Sequence, residues 1–156
     1  MVLLHSIGKV KVGLKNFKSV LYLDDMRVPQ ILGIDHVRNY AQFVWYIQNK
    51  SMPEVLSFDH DLHIEHYPFF EEETPGRIIP YEKYREKTGL ECARYLIENK
   101  LPVKHWFVHS ANPVGANNIR QELRAYCPEG ELRGLQIPFR IDHSAYGRLL
   151  DHGYRV

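Results

Sequence analysis

The sequence predicts an α/β fold with a mostly parallel sheet. Three short apolar runs of strand type, at 19–23, 54–58 and 105–110, alternate with segments that carry apolar residues at helical spacing. Crossovers between such strands are right-handed, so the strands point one way and their carboxyl ends share one edge of the sheet. Carboxylates directly follow two of the runs, in VLYLDD and VLSFDHD. Ligands bind at that edge in open α/β sheets, so the same pattern indicates where a site lies.

The composition is that of an ordinary globular domain. The chain has 156 residues, of which 44% are hydrophobic and 25% charged. A formal net charge of +1 gives no strong attraction to nucleic acid or membranes, and no apolar stretch reaches the ~20 residues of a membrane span. Cys92 and Cys127 are far apart in sequence and are expected to be reduced thiols. We therefore expect one cytoplasmic domain over residues 1–156, with no membrane partner.

The first third of the chain contains two predicted strands and a helix. GKVKVGLK alternates apolar and polar residues through Leu14, which predicts a half-exposed strand. SVLYL, at 19–23, is apolar without alternation and predicts a strand buried on both faces. MRVPQILG predicts a loop, and residues 34–38 a brief strand. Asn39 is placed to cap a helix over 40–50.

The middle of the chain contains a buried strand and a long connection. The strand is predicted at 54–58, after a proline. Residues 62–87 then form an irregular segment with three prolines and an acidic run, which is typical of a lid or binding loop. TGLE is a capping box that opens the next helix, predicted to run to about Lys100.

The last third repeats the strand and helix pattern. HWFVHS predicts a buried strand, and the following NPVG places Asn112 as a cap and Pro113 at the first helical position. That helix is expected to stop by Pro128. ELRGLQIPFRI is expected to contain a last strand or two.

Acidic side chains at two strand ends predict a metal site. Carboxylates a few ångströms apart repel each other, and a divalent cation removes the conflict. Asp24, Asp25 and Asp59 are the expected ligands, because Mg²⁺ prefers oxygen donors and commonly also contacts a phosphate; Mn²⁺ is the alternative ion. Asp59 and Asp61 are expected to share a face, with His60 pointing the other way.

The turn HSANPVG predicts a phosphate site opposite the metal. The free N–H groups at the start of the following helix attract anions, and Ser110 and Asn112 can add side-chain hydrogen bonds. His109 or His60 can move protons near neutral pH. A metal, a phosphate cradle and an acid or base together indicate phosphoryl chemistry.

Four segments closely resemble the cyclic-phosphate-processing receiver-like domain, a divergent branch of the receiver domains of two-component signalling: LYLDDMR, SFDHDL, TGLECARYLI and VHSANPVGANNI. The resemblance covers roughly residues 19–126, which leaves 1–18 and 127–156 as extensions. HSANPVG is its most specific piece. The resemblance as a whole implies a flavodoxin-like, receiver-like three-layer sandwich and a role in processing cyclic phosphates on nucleotides or RNA ends.

The resemblance also implies roles for individual positions. Asp24 and Asp25 match the acidic pair that holds Mg²⁺ in receivers, and Asp59 matches the phospho-acceptor. Ser110 matches the hydroxyl residue after the fourth strand. Residues particular to the cyclic-phosphate branch are matched by Arg27, His60, Asp61, His109, Asn112 and Pro113. Receivers carry a lysine and a proline after the fifth strand, whereas IPFRID offers only Arg140, which argues against a phospho-switch.

These observations predict a Mg²⁺-dependent phosphoesterase that acts on a cyclic nucleotide or an RNA with a cyclic-phosphate end. In this hypothesis His60, Asp61 and His109 are catalytic, and the phosphate is bound by Arg27, Ser110 and Asn112. The alternatives are a nucleotide-binding or signalling module and an inactive scaffold. A zinc site in HDLHIEH is disfavoured because the segment leads into a proline-rich loop.

Overall fold

The computed structural model describes residues 13–63 and 87–144. Its strands are β1 (Val20–Leu23), β2 (Arg27–Pro29), β3 (Ile34–Val37), β4 (Val55–Phe58), β5 (His105–Val108) and β6 (Phe139–Ile141). Its α-helices are α1 (Tyr40–Asn49), α2 (Gly89–Glu98) and α3 (Pro113–Tyr126). None of the helices in the described ranges has the length and apolar character to cross a membrane.

Four of the strands form a parallel sheet in the order β3-β1-β4-β5. The strands are in step, so that Leu23 lies beside Phe58 and Phe58 beside Val108. The two remaining strands, β2 and β6, form a separate antiparallel ribbon in which Arg27 is opposite Ile141. The predicted parallel sheet, with its carboxyl ends along one edge, is therefore confirmed.

The three helices pack on one face of the sheet. Side chains that alternate along the strands, such as Leu21, Leu56 and Trp106, are buried against them. The helices begin as the sequence predicts: Asn39 caps α1, Thr88 and Glu91 form the capping box of α2, and Asn112 caps α3. Local capping chemistry thus fixes where each helix starts relative to the sheet edge.

The opposite face is covered by irregular chain in the described residues. Tyr22 and Phe107 are buried there against Leu14, from a 3-10 turn at Leu14–Asn16, and Ile137, from the segment before β6. This third layer contains no α-helix among residues 13–63 and 87–144. The fold is nevertheless an α/β flavodoxin-like sandwich, with chain segments and the β2–β6 ribbon replacing helices on this side.

The structure corrects two local predictions. Leu14 is predicted in a strand but lies in the 3-10 turn, where its buried side chain completes the second core. Residues 27–29, predicted as loop, form β2, because they pair with a strand more than a hundred positions away that no local pattern reveals. Residues 8–12 of the predicted first strand and 64–86 of the predicted long loop lie outside the described residues.

Candidate functional site

Three predicted site residues lie in one row at the carboxyl edge of the sheet. Asp24, Asp59 and His109 each follow directly after a strand, and the hydrogen-bonding ladder continues through them: Asp59 N donates to Leu23 O at 3.0 Å, and His109 N donates to Phe58 O at 2.9 Å. Neighbouring strands in register place equivalent side chains on the same face. One ligand atom from each of the three residues consequently lies within 4.8 Å of the others.

Asp24 is buried, and hydrogen bonds hold both of its carboxylate oxygens. Oδ1 accepts the backbone N–H of Met26 at 2.9 Å and of Arg27 at 2.7 Å, which folds the chain into a tight turn after β1. Oδ2 lies 3.0 Å from Nε2 of His109 and 3.7 Å from the Arg27 guanidinium. The Asp24 carboxylate therefore orients both the His109 ring and the Arg27 guanidinium.

His109 lies between two hydrogen-bonding partners and a stacked ring. Its Nδ1 is 2.6 Å from the Ser57 hydroxyl, and its ring is parallel to that of Tyr22 with centroids 4.2 Å apart. A carboxylate only accepts hydrogen bonds, so the Nε2 that faces Asp24 bears the hydrogen and Nδ1 of the neutral ring accepts from Ser57. Burial lowers the pKa of His109, and the hydrogen bond that the ring donates to Asp24 opposes this effect. The ring is thus oriented and kept neutral near pH 7.

Asp59 is a buried carboxyl group in an acidic neighbourhood. Burial raises its pKa well above the ordinary value, and the nearby charges of Asp24, Asp25 and Asp61 raise it further, while Arg27 opposes them. Two carboxylates and an imidazole directed at one point are a donor set that accommodates a divalent cation. The residues at this edge consequently fit a metal ion chemically.

Asp25 lies outside that group of three. Asp25 lies in the bend that follows β1, and its charge is one of those that raise the pKa of Asp59. The Asp25 carbonyl accepts a hydrogen bond from the Arg38 guanidinium at 3.0 Å, which ties the turn to the end of β3. Among the described residues, the structure therefore groups two of the three predicted metal ligands, Asp24 and Asp59, with His109, and the role of Asp25 stays a prediction.

His60, Asp61 and Asn112 form a second, buried cluster on the helix side. His60 Nδ1 is 2.9 Å from Asp61 Oδ1, and the Asn112 amide donates to Asp61 Oδ2 at 3.2 Å. The carbonyl oxygen of the Asn112 side chain accepts Gly115 N at 3.0 Å, so this amide also caps α3. These contacts connect the end of β4 to the start of α3.

Two glycines allow helices to approach this cluster closely. A Cβ at Gly115 would overlap the His60 ring, and a Cβ at Gly89 would overlap the carbonyl oxygen of Asp59. Gly89 N also donates to His60 O at 2.7 Å. The first turn of α2 thus packs directly on the main chain of residues 59 and 60, and the first turn of α3 packs on the His60 ring.

A cleft of about 690 Å³ opens beside the row of Asp24, Asp59 and His109. Its described lining consists of Tyr22, Arg27, Val108, His109, Ser110, Ala111, Leu135, Gln136, Ile137, Pro138 and Phe139. The Arg27 guanidinium donates to His109 O at 3.1 Å and lies over the Phe139 ring, 5.0 Å from its centroid. Of the three predicted phosphate ligands, Arg27 and Ser110 line the cleft, and Asn112 is buried behind it.

A comparison with known protein families identifies the family to which the chain is related. The family described as the cyclic-phosphate processing receiver domain matches residues 19–125. The chain belongs to this family. The match confirms the predicted resemblance and its extent, and it ties the protein to the processing of cyclic phosphates. No curated protein and no solved structure matches the chain.

In this cyclic-phosphate processing receiver domain, the sheet ends on a very short fifth element. Glu131 forms an isolated parallel bridge with Trp106, and Leu132 N donates to Trp106 O at 2.8 Å. The chain then crosses the face of the sheet opposite the helices and reaches β6. Residues 135–139, which form one wall of the cleft, come after the end of the family match.

Sequence reasoning missed three residues that support the site. Ser57 and Tyr22 hold the ring of His109, and His36 Nε2 is 2.7 Å from the carbonyl oxygen of Asp24. Strand alternation is the signal that could have found two of them, because Tyr22 and Ser57 lie two positions before Asp24 and Asp59. Side chains two positions apart in a strand point to the same face.

Proposed function

We propose that this protein is a metal-dependent phosphoesterase that opens a cyclic phosphate on a nucleotide or an RNA end. The observation that carries the proposal is that His109, which lines a cleft together with Arg27 and Ser110, is grouped with the buried carboxyl groups of Asp24 and Asp59. Imidazole and cationic groups on a cleft, with acidic groups directly behind the imidazole, are a set suited to hydrolysis of a phosphate ester. The family's link to cyclic phosphates supports the substrate class.

The acidic row is the expected place for Mg²⁺ or Mn²⁺. Asp24 and Asp59 would hold the ion, and His109, whose Nε2 faces Asp24, lies next to it as the proton carrier. When bound, the ion would neutralise charge on the phosphoryl group. An ion would also relieve the repulsion between the two buried carboxylates, which supports its presence in the working enzyme.

The phosphate is expected to lie between Arg27 and the first turn of α3. One guanidinium nitrogen of Arg27 donates to His109 O, which aims the planar group into the cleft and leaves its other N–H groups for a phosphate. Ser110 Oγ accepts Asn112 N at 3.1 Å, so its hydroxyl hydrogen remains available to a ligand oxygen. Together with the positive end of α3, these groups would stabilise charge that develops on the phosphoryl oxygens.

His109 is the residue placed to move a proton. In the protonated ring, Nδ1 donates to Ser57, and the Nε2 hydrogen, which Asp24 accepts in the structure, can pass to a leaving ribose oxygen as the P–O bond breaks, which leaves a neutral ring. The attacking water supplies the phosphorus with its new oxygen, and its proton restores Nε2, so that the net proton transfer is from water to ribose. Ser57 keeps the His109 ring in this orientation by its contact with Nδ1.

His60 and Asp61 receive a different role from the one the sequence predicts. Both side chains are at most 2% exposed, and they are hydrogen-bonded to each other. We assign them to positioning Asp59 and the start of α3, with His109 as the proton carrier.

The test is a phosphate-ester screen in the presence of Mg²⁺ or Mn²⁺ and in chelator. The substrates are 2′,3′-cyclic nucleotides, cyclic dinucleotides and an RNA that ends in a cyclic phosphate. We expect opening of at least one substrate, loss of this activity in chelator, and loss of about a hundred-fold or more in His109→Gln.

His105→Gln is the matched control, because His105 lies at the opposite end of the same strand and faces the same side of the sheet. Arg140→Lys, an exposed residue of β6, is the control for Arg27→Lys. Equal activity in His109→Gln and His105→Gln would refute the assignment of the proton carrier. Nucleotide binding without opening of any substrate would instead favour a nucleotide-binding module.

A further inference from the structure

The wall of the cleft formed by residues 135–139 differs chemically from the rest of its lining. Leu135, Ile137, Pro138 and Phe139 give it an apolar and aromatic surface, whereas His109, Arg27 and Ser110 make another part of the lining polar. A cyclic phosphate alone would use only the polar end. The division into two halves is suited to a ligand that carries both an anionic group and a flat apolar group.

The apolar wall is firmly attached to the domain. Ile137 is 7% exposed and packs in the second core with Tyr22 and Val20. Gln30 N donates to Pro138 O at 2.7 Å, and β6 pairs with β2 so that Phe139 lies opposite Pro29. The wall is therefore a preformed surface, which reduces the entropic cost of binding a ligand against it.

Phe139 is placed where folding alone does not require an aromatic ring. The side chain is 49% exposed, although it lines the cleft next to the guanidinium of Arg27. Gln136, also exposed on this wall, has an amide that can donate and accept hydrogen bonds. A half-exposed ring beside an amide and a guanidinium is the combination that binds a nucleobase, through its face and its edge.

We infer that residues 135–139, which follow the family's matched segment, form a nucleobase subsite, so that the substrate is a nucleoside cyclic phosphate whose base stacks on Phe139. The inference rests on the proposed function for the position of the phosphate. It adds the second half of the ligand and the residues that recognise it. The volume of about 690 Å³ lies within the ordinary range for small-molecule sites and accommodates both halves.

The test compares two probes that differ in the base. Binding of 2′,3′-cyclic AMP and of glycerol 1,2-cyclic phosphate, which has no base, is measured by calorimetry on the full chain. We expect the wild type to bind the nucleotide at least about ten-fold more tightly. Phe139→Leu, which keeps an apolar side chain without the ring, should lose roughly ten-fold or more in nucleotide affinity and leave the affinity for the base-free probe unchanged.

Ile141→Ala is the matched control, because Ile141 is an exposed residue of the same strand that does not line the cleft. If Phe139 acts only by holding Arg27, Phe139→Leu weakens both probes equally, and this result overturns the inference. Equal wild-type affinity for the two probes also overturns it. Because binding is scored separately from ring opening, a base-dependent affinity without turnover supports the subsite and counts against the phosphoesterase.

Discussion

Replacing Asp59 by asparagine should stabilise the metal-free protein. Asp59 and Asp24 have ligand atoms no more than 4.8 Å apart and are both buried. Two unit charges at that separation repel by about 3.5 kcal/mol at an effective dielectric constant of about 20. Arg27 offsets part of this repulsion. We therefore expect Asp59→Asn to raise the free energy of unfolding by about 1–3 kcal/mol near pH 7, or about 2–4 °C in Tm per kcal/mol.

The effect should depend on pH with a definite sign. The pKa of Asp59 in the folded protein is raised, by burial first and by the neighbouring carboxylates second, so the folded state binds a proton more readily than the unfolded chain does. The destabilisation is therefore fully present above the folded pKa and is lost as the pH falls through it. The stability difference between the variant and the wild type should therefore become smaller as the pH falls.

Adding a divalent cation should make the wild type more stable than Asp59→Asn. If Asp24 and Asp59 hold the ion, the wild type gains about 4.1 kcal/mol at a metal concentration about one thousand times its Kd, whereas Asp59→Asn gains much less. The two proteins should thus exchange order between chelator and saturating Mg²⁺ or Mn²⁺. A crossing of this kind is not expected of a residue with a purely structural role.

The assay is thermal unfolding of the wild type and the variant, in chelator and with metal, from pH 5 to 8. Glu98→Gln is the control, because it removes the same charge at the exposed end of α2. An Asp59→Asn protein that is less stable than the wild type in chelator across this range would refute the argument from charge repulsion. Equal stabilisation of both proteins by metal would refute the ligand assignment.

Three further changes test the supports of the site. Gly115→Ala should destabilise the protein by about 1–3 kcal/mol in urea unfolding, because its Cβ would overlap the His60 ring; an unchanged midpoint would contradict this packing. Asn112→Ala removes the cap of α3 and should cost about 1–2 kcal/mol in the same assay, with a cost near zero as the contrary result. Ser57→Ala should lower turnover by about ten-fold or more while substrate affinity is kept, since His109 loses a partner; a loss confined to affinity would assign Ser57 to binding instead.

Much of the fold could be predicted because its signals are local. The apolar runs of β1, β4 and β5 are continuous, and the caps at Asn39, Thr88 and Asn112 are recognisable within four residues. The ribbon of β2 and β6 could not be found this way. Each strand has three residues and gains its hydrogen bonds only from the other, so pairing, not local propensity, decides its conformation.

The sequence predicts which strand ends carry the site, but it does not predict which side chains at those ends face it. Parallel strands bring their carboxyl ends together, which is why Asp24, Asp59 and His109 could be expected near one another. Composition alone does not tell which neighbour of a strand end turns toward the site. His109 continues the hydrogen-bonding ladder of its strand whereas Asp25 lies in a bend, and the packing of His60 depends on Gly115, more than fifty residues away.

The position of the cation favours a diffusible substrate over a covalent phospho-switch. Receivers place a lysine after the fifth strand, but here that region gives only Arg140, which lies exposed on β6 opposite Val28. Among the described residues, the cation nearest the row is Arg27, 3.7 Å from the Asp24 carboxylate, and its hydrogen bond to the His109 carbonyl holds it on the cleft side. A guanidinium fixed there is placed for a phosphate that enters through the cleft. It therefore supports a ligand that binds and leaves, as our proposed phosphoesterase requires.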